Sequence, residues 1–284
     1  MSSSAPSFHI FSSLRYDPWL PQFLSHCGQE SAYPNPQDTP YYLLAYHRDR
    51  LINAAQCFQW SSALDFLEKH DLAAFIRFLD PFIPDKTTQW RLRILLHCSG
   101  ECKVEAYPTA PIPPLRLLVP SPGILDQPAE SQSGLWRVYI DSQPIVPSVY
   151  TTHKTTARDD YNAARLRAGI QSPAENAEVL VVNPQGEVME GSITTPYFRR
   201  RHQLGTSGAG APSEPHWITP PLSSGGNAGT TRRYALAQGF CIEGVIKTAE
   251  LVDGDECWLS NGVHTKIKDI ILKRAGNWRG DGHS

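Results

Sequence analysis

Apolar and polar positions change their period along the chain, and those changes divide it into units. Phe8-His9-Ile10-Phe11 opens a strand-like run that ends near Pro18. After the Pro-rich connector Tyr33-Pro34-Asn35-Pro36, a helix is expected from about His47 to Cys57. A serine-capped helix is expected over Ser61–Glu68. Leu72, Phe75, Ile76 and Leu79 recur at helical spacing and predict a third helix over Asp71–Leu79. These stripes are core rather than chemistry. Trp90–His97 and Cys102–Tyr107 alternate with period two around Cys98-Ser99-Gly100-Glu101, the pattern of a β-hairpin, and Leu115–Val119 reads as one more strand.

Periodicity then stops. Pro120-Ser121-Pro122-Gly123 and the polar run to Gly134 are rich in turn formers and poor in apolar residues, which marks a linker over 121–134 between an N-terminal α/β unit (1–120) and a second unit (135–284). The second unit opens with a strand over Trp136–Ile140, and Ser148–Thr156 reads as a β-branched, strand-like run. A helix over Asp160–Ala168 places Tyr161 and Arg165 on one face. Val179–Val182 and Val188-Met189 flank the turn Asn183-Pro184-Gln185-Gly186, and Gly205–Ser213 reads as a surface insertion. A helix over Thr231–Gly239, strands over Cys241–Ile246 and Glu256–Leu259, and a last helix over Lys266–Lys273 complete an α+β pattern.

Composition narrows the class. The 284 residues, 40% of them hydrophobic, suffice for two modest domains. A formal net charge of -2 provides no basic field, so neither nucleic acid nor an anionic membrane is the expected main partner; Arg199-Arg200-Arg201-His202 is a short solvated run without interleaved aromatics. No stretch is apolar enough to span a bilayer, the N-terminus lacks the pattern of a secretory signal, and the six cysteines are scattered, so a cytoplasmic protein with reduced thiols is expected. Cys98 and Cys102 do not have a convincing metal spacing, and no metal site is expected.

Three features in order carry the candidate chemistry: Lys154, then Glu190-Gly191-Ser192, then Gly229-Thr230-Thr231-Arg232. Singly, each has a commoner role: an edge charge that blunts a sheet, an exposed residue just past a turn, a threonine helix cap. Together they supply a lysine able to form a Schiff base, a carboxylate for a heteroaromatic nitrogen, and a glycine-hydroxyl turn opening a helix for a phosphate. These are the attachments that pyridoxal phosphate (PLP) needs.

In order and spacing the chain resembles the fold-type IV PLP enzymes, the class IV aminotransferase family. The resemblance runs from Phe11-Ser12-Ser13-Leu14-Arg15 and His47-Arg48-Asp49-Arg50-Leu51 to Trp258-Leu259-Ser260-Asn261, and is strongest in Val179–Ser192 and Ile218–Arg232. It implies an α+β, two-domain fold with a smaller N-terminal α/β domain, a barrel-like C-terminal PLP domain, and a homodimer. The resemblance further implies that Lys154 carries the cofactor and shuttles protons, that Glu190 pairs with the pyridine nitrogen, and that Arg50, Thr230, Thr231 and the loop at Asn261 meet the phosphate or a substrate carboxylate. Arg15, Arg91 and Arg93 are candidates for substrate carboxylates. Within the family the wording is most similar to fungal aminodeoxychorismate lyases, which implies elimination of pyruvate from aminodeoxychorismate to give 4-aminobenzoate for folate synthesis. A branched-chain or D-amino-acid transaminase and a catalytically inactive interaction protein of the same fold are the alternatives.

Three positions depart from the family pattern: Thr195 stands where an asparagine is usual, Asn227 where an apolar residue precedes the phosphate glycine, and Tyr161 falls later than the usual tyrosine.

Overall fold

The computed structural model describes residues 7–26, 33–113, 117–118, 136–172, 174–199, 217–255, 257–263, 265–266 and 272–274. In the first half, β1 (Ile10–Tyr16), β2 (Trp90–Leu96) and β3 (Cys102–Pro108) form an antiparallel sheet in the order β1-β2-β3. Its register pairs Ile10 with Leu96, Leu14 with Leu92 and Ile94 with Val104, so even-numbered apolar residues share one face. That face packs on α2 (Leu44–Cys57), α3 (Ser61–Lys69) and α4 (Leu72–Leu79) in a core that includes Leu51, Leu67, Phe75 and Leu79. The odd-numbered face carries Phe11, Ser13, Arg91 and Arg93 and turns toward a cleft.

The helices follow from spacing and caps. In α2, Leu44, His47, Leu51, Ala54 and Ala55 are buried along one stripe. The N-terminus of α4 is capped by Asp71, whose side chain accepts from Ala74 N at 2.7 Å. The expected serine cap of α3 is not observed: Trp60 occupies the N-cap without a side-chain hydrogen bond, and Ser61 is already helical. A short helix α1 (Leu20–His26) precedes them.

The second half is built on two sheets. One has the order β12-β4-β5-β6, from β4 (Arg137–Ile140), β5 (Ala177–Val182), β6 (Val188–Gly191) and β12 (Leu272–Arg274). The other runs β11-β10-β7-β8-β9, from β7 (Thr195–Arg199), β8 (Trp217–Thr219), β9 (Cys241–Glu243), β10 (Cys257–Ser260) and β11 (Thr265–Lys266). Val138, Leu180 and Val188 from the first sheet share a core with Phe198 and Leu259 from the second, the barrel-like arrangement expected for this half. On the opposite face, Val179, Val181 and Met189 pack on Tyr161 and Ala164 of α6 (Asp159–Arg167). Every residue of β5 is buried, as a strand covered on both faces requires.

Several expectations are corrected. Ser148–Thr156 is not a strand: Val149–Thr152 forms a short helix, α5, because Ser148 accepts from Tyr150 N while Thr151 Oγ1 accepts from Ser148 N, a reciprocal cap that outweighs the β-branched residues. Within the run expected as a last helix, Lys266 lies in β11 and Leu272-Lys273 in β12, so sheet pairing takes residues whose apolar spacing suggested a helix. The strand expected over Leu115–Val119 is described only at Leu117-Leu118, which form a turn with Leu117 buried. The linker 121–134 and the Gly205–Ser213 insertion lie outside the described residues.

Candidate active site

The two halves meet around Lys154. Its carbonyl accepts from Phe11 N at 2.9 Å, and Thr156 N donates to His9 O at 2.8 Å, so the segment after α5 extends the sheet at the start of β1. A second seam joins Arg15 N to Gly262 O at 3.1 Å. Between them lies a cavity of about 480 Å³, the size range of a small-molecule site. Lys154, Arg50, Glu190, Thr230, Thr231, Asn261, Arg91 and Arg93 all line it.

At one end stands α7 (Thr230–Ala237). Its N-cap, Gly229, supplies no side-chain acceptor, so the first backbone N–H groups of the helix remain open toward the cavity. A Cβ on Gly229 would lie 2.7 Å from Thr195 Oγ1, which explains the glycine and seats Thr195 against this turn. Thr230 Oγ1 and Arg50 Nε are both buried without a hydrogen-bond partner, and burial lowers Arg50 to about 10. Two orphaned donors beside a helix N-terminus fit an anion such as phosphate. Thr231 Oγ1 instead accepts from Ser260 Oγ at 2.7 Å. Asn261 Oδ1 accepts from Val263 N at 2.9 Å and shapes the neighbouring loop. Arg233 of α7 bonds Asp49 at 2.9 Å and stacks over Tyr46, which ties α2, and with it Arg50, to the helix end.

Lys154 Nζ lies 5.1 Å from the centre of the Phe11 ring, and the guanidinium of Arg93 lies 5.2 Å from the same ring. Burial, reinforced by Arg158 and Arg50, lowers the Lys154 amine to about 7 against the pull of Glu190 and Glu178. A large fraction of it is therefore neutral near pH 7, while an exposed lysine is almost wholly protonated. Trace acetylation of the cofactor-free chain across pH 6–9, read peptide by peptide, is expected to show Lys154 reactivity levelling off above about pH 7. Exposed lysines such as Lys103 would still be climbing there. A Lys154 that climbs in step with them would contradict the assignment.

Glu190 is buried, which pushes its carboxyl up; hydrogen bonds and neighbouring cations oppose this. Tyr161 OH donates to Oε1 at 2.5 Å and Asn227 Nδ2 to Oε2 at 2.6 Å. Behind it, the turn Ser192–Thr194 is held by Glu178, a fully buried carboxylate within β5. It accepts from Ser192 N at 3.0 Å, Ser192 Oγ at 2.5 Å, Ile193 N at 3.1 Å and Thr194 Oγ1 at 2.7 Å, with Arg165 Nη1 at 3.7 Å.

The three substrate-carboxylate candidates separate. Arg15 is withdrawn from that role: it is fully buried, pairs with Asp17 at 2.8 Å, donates to Ala110 O, and does not line the cavity. Arg91 stacks on Tyr107, and Arg93 makes a half-exposed pair with Glu105 at 3.5 Å. Sequence reasoning missed Arg158, which lines the cavity, donates to Ser192 O at 2.5 Å and stacks over Tyr161. It also missed Glu178, whose signal was a lone carboxylate in an otherwise apolar strand. Among the described residues, no helix is long and apolar enough to cross a membrane, and no His, Cys, Asp or Glu group is placed to hold a metal.

Comparison with known proteins adds the ancestry. The amino-transferase class IV family model matches residues 37–268. The aminodeoxychorismate lyase of Saccharomyces cerevisiae is 30% identical over 200 residues, 64% of this chain and 51% of that protein. The chain thus spans about half the length of this curated relative. Among solved structures, a putative amino-acid aminotransferase from Mesorhizobium loti superposes with a TM-score of 0.59 at 19% identity, covering 94% of this chain and 100% of that one. A hypothetical aminotransferase from Mycobacterium tuberculosis in its PLP-bound form gives 0.54 at 17% identity, covering 94% and 83%. At these identities the structures share the fold. The family match covers most of the chain and includes both halves of the cleft, so the protein belongs to the amino-transferase class IV family and has its fold-type IV architecture.

Proposed function

We propose that this chain binds PLP in the cleft and acts as a 4-amino-4-deoxychorismate lyase, releasing pyruvate and 4-aminobenzoate, the aromatic unit of folates. The observation that carries the reading is the convergence on one cavity of a lysine lowered to about 7, a buried carboxylate and an orphaned anion cradle. The likeness to the yeast lyase favours elimination over transamination.

Arg50, Thr230 and the N–H groups opening α7 would hold the phosphate, and Glu190 the ring nitrogen. When bound, the cofactor withdraws electrons from the substrate carbon that bears nitrogen. Lys154, as a neutral amine, takes the proton from that carbon. As the ring becomes aromatic, the C–O bond to the enolpyruvyl group breaks and its electron pair leaves with oxygen. Lys154 then returns the proton to the methylene carbon, giving pyruvate. Substrate and products balance without oxidant, reductant or keto acid. Arg91 and Arg93, on the cleft face of β2, and Arg158 opposite them offer guanidinium groups to the substrate's two carboxylates. The cleft's charge supports this: four arginines, Arg50, Arg91, Arg93 and Arg158, line it against one carboxylate, Glu190.

The test is to supply the PLP-loaded chain with enzymatically generated aminodeoxychorismate and no keto acid. Equimolar 4-aminobenzoate and pyruvate are expected. A chain that binds PLP but forms products only when amino donors and keto acids are added is a transaminase, and one that binds no PLP is an interaction protein of this fold.

A further inference from the structure

Two residues that depart from the family pattern converge on Glu190 from opposite sides. The segment before α7 lies directly against β6: a Cβ on Gly226 would fall 2.5 Å from Met189 O and 3.3 Å from Glu190 Cβ, so only glycine permits this approach. The close contact delivers the next residue, Asn227, whose Nδ2 donates to Glu190 Oε2 at 2.6 Å. From α6, Tyr161 OH donates to Oε1 at 2.5 Å. Tyr161 is itself fixed, with one face packed on Val179, Val181 and Met189 and the guanidinium of Arg158 4.8 Å from its ring centre.

An amide NH2 group can only donate, and each donor here takes a different carboxylate oxygen. A proton on Oε2 would face the Asn227 amide NH2, which cannot accept it, and a proton on Oε1 would require Tyr161 OH to turn from the carboxylate to Thr151 O, 3.4 Å away, so the donors as placed favour the ionised form. A carboxylate has about four acceptor positions, and two remain after both bonds are made. Glu190 lines the cavity, where a remaining position is open to an N–H donor.

We propose that Asn227 and Tyr161 are positioning residues that lock Glu190 as an acceptor-only carboxylate, oriented to receive the ring N–H of a bound heteroaromatic cofactor. The inference about the ring rests on the PLP reading above; the lock itself is a property of the chain without cofactor. Burial raises the Glu190 carboxyl, and the two bonds oppose that rise and favour the ionised form. Besides Tyr161, the charged groups facing it are Arg158 at the start of α6, Lys154 after α5 and Arg50 of α2. The two arginines are cations and Lys154 joins them in its protonated form, and all act in the same direction as the two donors.

The experiment has two arms, on wild type, Asn227→Leu and Tyr161→Phe, substitutions of similar size on different elements. In the first, the cofactor-free chain carries 13C-carboxyl glutamate, with the Glu190 signal identified by its loss in Glu190→Gln, and is titrated by NMR. Each variant is expected to move the Glu190 transition to higher pH, because each removes a donor to the charged form. Unchanged transitions in both variants overturn the proposal. In the second arm, PLP labelled with 15N in its ring is added. The ring nitrogen is expected to be protonated in wild type and to lose its proton at lower pH in each variant, with PLP binding about tenfold weaker. A shifted Glu190 transition together with a ring nitrogen that ignores both variants retains the lock and overturns its role toward the cofactor. Failure of wild type to bind PLP, with the first arm as expected, sinks the functional reading and leaves the lock standing.

Discussion

Lys154→Ala is expected to lower 4-aminobenzoate formation by at least about 10³-fold while the fold survives. Lys154 is the only lysine lining the cavity among the described residues, so no neighbouring amine can take its place. The segment is held by main-chain bonds that alanine retains, Phe11 N to Lys154 O and Thr156 N to His9 O. Burial, Arg158 and Arg50 all oppose the charged form of this amine, so no large loss of stability is expected on its removal. Product formation and the urea midpoint, measured on one preparation, separate the two effects. Near-wild-type turnover in a folded variant would remove Lys154 from the chemistry.

Glu178→Ala is expected to be the most damaging single change for stability near the site, costing about 3–5 kcal/mol. The carboxylate is fully buried and gathers two backbone N–H groups and two hydroxyls from Ser192–Thr194, together with Arg165. Alanine would leave those donors and a nearly buried guanidinium unsatisfied. Glu178→Gln preserves shape, but its amide NH2 would face donors, so it should recover only part of the loss. Equilibrium urea unfolding checks the size. Because the turn begins immediately after Glu190 and Gly191, both variants should also weaken PLP binding; a variant unfolding within about 1 kcal/mol of wild type would show that the network contributes little.

The parts of the architecture legible in the sequence were those governed by local period. The alternation of Leu92, Ile94 and Leu96 against Ile10 and Leu14, and the stripe of Phe75 and Leu79 behind the Asp71 cap, depend on neighbours in sequence, and the structure follows them. Expectations failed where a local cap outweighs residue type or where distant contacts decide. Val149–Thr152 has strand-like residues, yet one reciprocal cap at Ser148 makes it helical. Leu272-Lys273 pairs with Val138-Tyr139 more than a hundred positions away and joins a sheet. At the site, order and spacing led to Lys154, Glu190 and Thr230 and the family resemblance to Arg50, and the fold brings all four to one cavity. Arg15 could not be separated from Arg91 and Arg93 because its burial depends on Ala110, on a different segment. Asn227 looked like a blemish in the phosphate turn until the approach of Gly226 to β6 placed it on Glu190.

The most direct measurement is chemical mapping of the bound cofactor. The PLP-loaded chain is reduced with borohydride, which fixes any carbon–nitrogen link between cofactor and lysine, then digested and read by mass spectrometry. One cofactor per chain on the peptide containing Lys154, absent from Lys154→Ala, is the predicted result. A cofactor fixed to another lysine, or PLP that binds and is never fixed, would contradict the placement of the active site at Lys154.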